Sequence, residues 1–270
     1  MSEILTELSP SAFTTANKGN LYNFFRQFEH SPVAEFTQAD GLIRWQVPHP
    51  HFWFNSLLSS RDATPADSAL ICEAQTYFRS KNVGSMGLWL EEGVSKESWE
   101  ALLVPHGFEY KEGPPGMAAD LSKLPENVPG VSGLEIKRVD DTESLRPYAH
   151  LLTKIFGFPE DTEAATYDLM LGLGLEFPQS FYTAYLDGIP VATSLVYYSA
   201  GVAGIYNVGT LPDVRGKGVG TAVTLQPLID AREREYRVGI LQSSPMGFSI
   251  YQKLGFEETC RVGCFYCKLT

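Results

Sequence analysis

The chain has 270 residues, 44% of them hydrophobic and 12% aromatic, which excludes a disordered polymer and suffices for one large domain or two small ones. Its formal net charge of −11, from 21 basic and 32 acidic residues, disfavours non-specific binding to nucleic acid or anionic membrane, because both need clustered Lys and Arg. The acidic start of the chain carries no basic region followed by an apolar core, and no apolar run approaches the ~18 residues of a membrane span, so a cytoplasmic protein is expected.

In chain order, the pattern predicts a helix near residues 18–28, strands around 35–47 and 52–58, and a helix near 65–80. A strand at 84–90, a helix at 96–103 and an extended end at 117–121 follow. Residues 124–133 are dense in Pro and Gly and read as a connector, dividing a domain at 1–125 from one at 134–270. Beyond it come a strand at 134–139, helices at 142–155 and 163–173, and strands at 180–185, 191–198 and 203–211. Asp187-Gly188, between two apolar runs, is a hairpin signal. A helix at about 221–235, a strand at 238–242, a helix at 245–254 and an extended region at 260–269 complete the chain. Pro227 falls inside the first of those helices, where it removes a backbone hydrogen bond and should kink it. The order is that of a mixed α/β sheet. The closing order of the first part repeats that of the second, and Arg61 and His106-Gly-Phe-Glu109 hold positions equivalent to Arg215 and Leu254-Gly-Phe-Glu257, as a duplicated fold would produce.

Cys72, Cys260, Cys264 and Cys267 are too few for a disulfide scaffold. The last three crowd together, but an extended segment puts Cys260 and Cys264 on one face and Cys267 on the other, and no nearby His completes a ligand set. Structural thiols and no metal are expected. Phe52, Trp53 and Phe54, with Trp45, read as hydrophobic core rather than as the lining of a cleft, and His49 and His51 as turn residues at a strand end.

The run Asn207-Val-Gly-Thr-Leu-Pro-Asp-Val-Arg-Gly-Lys-Gly-Val-Gly-Thr-Ala222 takes a strand through closely spaced glycines into a helix. Glycine permits positive φ and a close approach of the backbone to a ligand. The first amides of a helix lack intrahelical partners and sit at the positive end of its dipole, which suits a pyrophosphate. Arg215 and Lys217 add full charges. The spacing matches neither Gly-x-x-x-x-Gly-Lys-Ser/Thr nor Gly-x-Gly-x-x-Gly. A second run, Leu241-Gln-Ser-Ser-Pro-Met-Gly-Phe-Ser-Ile-Tyr-Gln-Lys-Leu-Gly-Phe256, offers Ser244 as helix N-cap, Pro245 at the first helical position and Gly255 at the end, with Tyr251 about two turns in.

Together these runs resemble the GNAT family of acyl-CoA-dependent N-acyltransferases, over about residues 134–270. The resemblance implies the GNAT fold, here a tandem of two GNAT-like halves with the first degenerate, and acetyl-CoA as co-substrate. It implies that the amides of Gly216, Lys217, Gly218, Val219 and Gly220, with Arg215 and Thr221, hold the pyrophosphate. Val208, Gly209 and Thr210 would meet the pantetheine arm, and Ser244 stands where many relatives carry an asparagine that contacts the cofactor. Tyr251 would protonate the leaving thiolate. The acceptor implied is a primary amine of a small molecule, amino acid or peptide. Another acyl-CoA, or a CoA-binding protein without turnover, are the alternatives. Many relatives place a glutamate on the strand before the glycines, and this strand has none. Water relayed by Tyr206 or Asn207, a carboxylate such as Glu176 or Asp168, or no base at all remain open. The first half's equivalent loop, Arg61-Asp-Ala-Thr-Pro-Ala-Asp-Ser68, lacks the glycines and has two carboxylates that would repel a pyrophosphate. Oligomeric state is not legible.

Overall fold

A computed structural model describes residues 3–49 and 51–269; Met1, Ser2, Pro50 and Thr270 lie outside the described residues. The first helix, α1 (Pro10–Arg26), starts eight residues earlier than its apolar periodicity suggests. Ser9 caps it by accepting the Ala12 amide at 3.2 Å, and Pro10 takes the first helical position. A hairpin follows, β1 (Glu35–Ala39) and β2 (Leu42–Gln46), turned at Asp40-Gly41 with both residues at positive φ. Next come β3 (Asn55–Ser59), α2 (Asp67–Ser80), β4 (Ser85–Leu90), α3 (Lys96–Leu103) and the short β5 (Glu109–Lys111). After β6 (Pro115–Asp120) and the connector, the second half runs β7 (Leu134–Arg138), α4 (Thr142–Phe156), α5 (Glu163–Leu173), β8 (Gln179–Leu186), β9 (Ile189–Ser199) and β10 (Val202–Thr210). It ends with α6 (Val219–Glu233), β11 (Val238–Gln242), α7 (Phe248–Lys253), β12 (Glu257–Arg261) and β13 (Cys264–Lys268).

The strands form two mixed sheets, in orders β1-β2-β3-β4-β13-β5 and β12-β6-β11-β10-β9-β8-β7. The sheets therefore do not divide where the connector divides the chain. β6, from before the connector, lies between β11 and β12, and β13, from the end of the chain, lies between β4 and β5. The extended region expected at 260–269 is thus two strands in different sheets, broken at Val262-Gly263. Cys260 and Cys264 sit on different strands rather than on one face of a single strand, while Cys264 and Cys267 face different apolar clusters. All four cysteines are free thiols. Among the described residues, no helix is long and apolar enough to cross a membrane.

α6 continues through Pro227 instead of ending there. The carbonyl that Pro227 leaves without its helical donor, that of Val223, accepts the Ser194 hydroxyl of β9 at 2.7 Å. The sheet repairs the helix.

One apolar cluster spans both halves, packing Phe24, Phe25, Trp45 and Trp89 with Tyr148, Leu152, Phe181 and Tyr206. Within it α1 lies across the second sheet, carrying two wholly buried carboxamides three residues apart. Asn17 donates to the Met117 and Leu241 carbonyls (3.2 and 3.3 Å) and accepts from Gln242 (2.8 Å). Asn20 donates to the Tyr197 and Ser199 carbonyls (3.1 and 2.9 Å) and accepts the Tyr206 hydroxyl (2.7 Å). The strands leave room for these amides at Gly116 and Gly204, where a Cβ would meet Asn17 and strike Asn20. Replacing Asn20 with Ala strands the Tyr206 hydroxyl and two strand carbonyls away from water, so Asn20→Ala should lower the unfolding free energy in urea by about 3 kcal/mol. A loss below ~1 kcal/mol would show that these groups find other partners.

Candidate active site at the junction of the halves

The central strands of the second sheet part company. β10 pairs in parallel with β11 only over Ala203–Ile205. Past Ile205 its other edge stays with β9 through a bulge between Tyr206 and Gly209. In that bulge Asn207 adopts φ 54°, its amide donates to the Tyr148 hydroxyl at 3.1 Å, and its carbonyl accepts Thr193 at 2.7 Å. The bulge turns the backbone of 206–210 away from β11, so the edge that faced β11 lines an opening. Gly209 lets α4 close over the bulge, because a Cβ there would collide with Ile155.

Beyond Thr210 the chain makes a short 3₁₀ turn (Pro212–Val214) and enters the glycine loop. Gly216 and Gly218 have φ 75° and 86°, values that favour glycine, and a Cβ on Gly216 would meet nothing within 4 Å. Gly218 is the N-cap of α6, whose first helical bond runs from the Ala222 amide to the Gly218 carbonyl at 3.0 Å. The amides of Val219, Gly220 and Thr221 therefore precede the first helical bond. Arg215 and Lys217 are exposed, and the Arg215 Nε donates to the Thr210 carbonyl at 3.3 Å, tying the loop to the end of β10. The Val219 side chain is buried among Val191, Val214 and Val223, so only its backbone belongs to the loop surface.

Tyr251 lies across the opening on α7. The helix is shorter than the sequence suggests. Pro245 has no amide to donate, and the Gly247 and Phe248 amides bond to the Ser244 carbonyl at 3.1 Å, forming a turn ahead of the helix proper. Ser244 Oγ accepts the Gly247 amide at 3.2 Å, so it caps that turn and not the helix, whose N-cap is Gly247. Tyr251 is 8% exposed, and burial pushes its phenol up to about 12 while the Thr224 hydroxyl pulls the other way. It is a protonated donor at neutral pH.

A cavity of about 810 Å³ opens at the divergence. Of the residues singled out from sequence, Val208, Ser244 and Tyr251 line it, with Tyr206 and Asn207. Gly209, Thr210 and the loop from Arg215 to Thr221 do not line it, and follow on from it along β10. Neither Glu176 nor Asp168 lines it, and the Tyr206 hydroxyl is held by Asn20. The opposite wall comes from the first half, through Phe24, His49, His51, Phe52, Trp53 and Phe54. Of the aromatics expected in the core, Trp45 is there, fully buried, but the other three face the cavity. The sequence reading missed them because a half-buried aromatic run has the same composition in a core as in a cleft wall. His49 is 5% exposed and burial, helped by His51, pushes its imidazole down to about 4. Its Nδ1 accepts the His51 amide at 3.2 Å, which assigns the proton to Nε2, a buried atom without a partner. Among the described residues, no group of three or more His, Cys, Asp and Glu is placed to hold a metal ion.

Residues 145–239 match the family model described as an acetyltransferase (GNAT) domain. That match places a GNAT acetyltransferase domain within the second half of the chain, across β10, the glycine loop and α6. The chain's fold is shared by a GCN5-related N-acetyltransferase from Kribbella flavida, at 18% identity and TM-score 0.62, covering 98% of this chain and 96% of that one. A GCN5-related N-acetyltransferase from Sphaerobacter thermophilus aligns at 16% identity and TM-score 0.60, over 86% and 82% of the two chains. A tandem GNAT protein from the clavulanic acid biosynthesis pathway aligns at 17% identity and TM-score 0.57, over 89% and 85%. No functionally curated protein matches the chain in sequence. The alignments span both halves, so this is a two-half GNAT fold.

Within that fold the first half closes the loop that the second leaves open. Arg61 follows β3 as Arg215 follows β10, but its guanidinium donates to both oxygens of Asp67 at 2.8 and 2.7 Å. Asp67 also accepts the amide and hydroxyl of Thr64 at 2.7 and 3.0 Å. A carboxylate of the chain itself occupies the donors that an anion would need. Arg61, above all, with Thr64 and against the effect of burial, holds Asp67 at about 2, below its ordinary 3.8. Because the folded value lies below the unfolded one, this stabilisation is complete above pH ~4 and fades as pH falls towards 2. Asp67→Ala should therefore cost about 2 kcal/mol in urea unfolding at pH 7 and progressively less below pH ~4. A cost unchanged at pH 3 would refute the charge as its origin.

Proposed function

We propose that this GNAT chain moves an acetyl group from acetyl-CoA to a primary amine of a small molecule, amino acid or peptide, by direct attack while both are bound. The observation that carries the reading is the parting of β10 from β11 beside Tyr251, with the glycine loop at the far end of the same strand. The residues present suit the co-substrate. The positive-φ glycines 216 and 218 leave the loop without obstructing side chains, and Arg215 and Lys217 supply charge for a pyrophosphate held by the amides of 216–220, with Thr221 at the helix start. The freed edge of Val208, Gly209 and Thr210 suits the amides of a pantetheine arm, and one N–H there would polarise the thioester carbonyl, worth a few kcal/mol of barrier. Ser244, exposed on the facing turn, borders the same opening.

In the reaction the neutral amine nitrogen bonds to the acetyl carbon, the carbon–sulfur bond breaks and the sulfur takes the Tyr251 proton, while the proton shed by the acylated nitrogen passes through solvent and restores the Tyr251 phenol. Tyr251→Phe should lower kcat by about 10²-fold and leave acetyl-CoA affinity in calorimetry nearly unchanged. Equal turnover in the variant would remove Tyr251 from the chemistry. The double variant Gly218→Asp, Gly220→Asp should abolish acetyl-CoA binding, since it adds two negative charges and two side chains at the loop. Binding retained there would place the pyrophosphate elsewhere. Acetyl-CoA bound by the wild type with no amine acetylated would favour a CoA-binding protein without turnover.

A further inference from the structure

The junction cavity bears on the acceptor. Among the described residues that line it there is no Asp, Glu, Lys or Arg. Rings from the first half, among them Phe24, Phe52 and Trp53, face Phe158 and Tyr206 of the second. The polar groups on offer are neutral, chiefly His49, Asn207 and Gln242. The cavity stays uncharged inside a chain whose net charge is −11.

An ammonium entering such a space loses its hydration and gains no counter-ion. Aromatic faces return about 0.5–2 kcal/mol to a cation, whereas the desolvation cost is several kcal/mol per ion. Desolvation therefore wins and favours the neutral amine. That same effect makes a carboxylate base dispensable, since the proton is left in solvent before the amine reaches the thioester. It also ranks amines by their own basicity. At pH 7.5 an α-amino group with pKa about 8 is roughly a quarter neutral, while a lysine-like amine with pKa about 10.4 is neutral in only about one molecule in a thousand. Each further charge, of either sign, adds its own desolvation cost.

Resting on the acetyl-transfer reading, we propose that the acceptor is an amine bound in its neutral form on an aromatic, otherwise uncharged body, such as the α-amino group of an aromatic residue whose carboxyl is amidated or esterified. Polyamines and free amino acids are excluded by the same desolvation. The test uses phenylalaninamide, phenylalanine and spermidine at pH 7.5, each followed by CoA release and by calorimetric titration into the CoA-loaded chain. Phenylalaninamide should exceed phenylalanine at least tenfold in kcat/KM and exceed spermidine about a hundredfold, with binding in the same order. Asn207→Asp puts one carboxylate at the cavity wall and should narrow the gap between phenylalaninamide and spermidine at least tenfold. Spermidine or phenylalanine bound as well as phenylalaninamide by the wild type would overturn the proposal, and so would an Asn207→Asp chain that still binds acetyl-CoA with its selectivity unmoved. If Asn207→Asp does not bind acetyl-CoA, the wild-type ranking decides alone. If phenylalaninamide binds in the expected order beside bound acetyl-CoA and no amide forms, the charge selectivity stands and it is acetyl transfer that fails.

Discussion

Two buried carboxamides on one face of the first helix tie the strands of the second sheet together. Asn17 grips the β6–β11 pair and Asn20 the β9–β10 side, so α1 spans the line along which β10 and β11 separate. Such a clamp ties both sides of the opening to one helix, through carbonyls of β6, β11 and β9. With it, the strands are fixed on both sides of the gap while the gap itself stays open. Phe24, one turn further along α1, stacks on Tyr206 at 4.4 Å and carries the same helix into the cavity wall. The first half thus acts on the site through its helix as well as through its aromatic wall.

The two halves share an architecture and have divided its labour. Where the second half presents exposed cations and open glycines at a helix mouth, the first meets its own arginine with its own aspartate. The ion pair is nearly buried on the Asp67 side, at 1% exposure, and consumes four hydrogen-bond donors. Glycine at positive φ leaves conformational freedom that only a ligand uses; a filled loop gives that freedom up for stability. On the proposed reading the second half's loop would recruit an anion, where the first half keeps a resident one.

Much of the second half was legible, because local chemistry decides it. The strand–glycine–helix run and the Tyr251-to-Gly255 segment are determined within a few residues by amide geometry and capping, and β11 and α5 fall where the apolar periodicity puts them. What escaped was non-local. Nothing near Asn17 or Asn20 announces partners a hundred residues away, since a polar residue on an amphipathic helix ordinarily faces water. Pro227 reads as a helix breaker until Ser194, from another strand, supplies the missing donor. The connector reads as a free linker, yet Arg232 donates to the carbonyls of Leu121, Leu124, Pro125 and Glu126 and fastens it to α6. His49 and His51 looked like turn residues, and they are, but the turn faces the cavity.

The exchange of β6 and β13 bears on how the molecule is made. The slot between β4 and β5 waits for residues 264–268, at the other end of the chain. During synthesis the leading half emerges first, with a strand-wide vacancy between β4 and the edge strand β5, and carries β6 as an extended segment with no sheet of its own to join. A vacancy of that kind is an open edge, sticky towards any passing strand. Both sheets are complete only once residues 257–268 have emerged. The order of emergence makes β13 the keystone of the first sheet, and links the completion of the aromatic wall, to which Tyr266 contributes, to the arrival of residues 264–268.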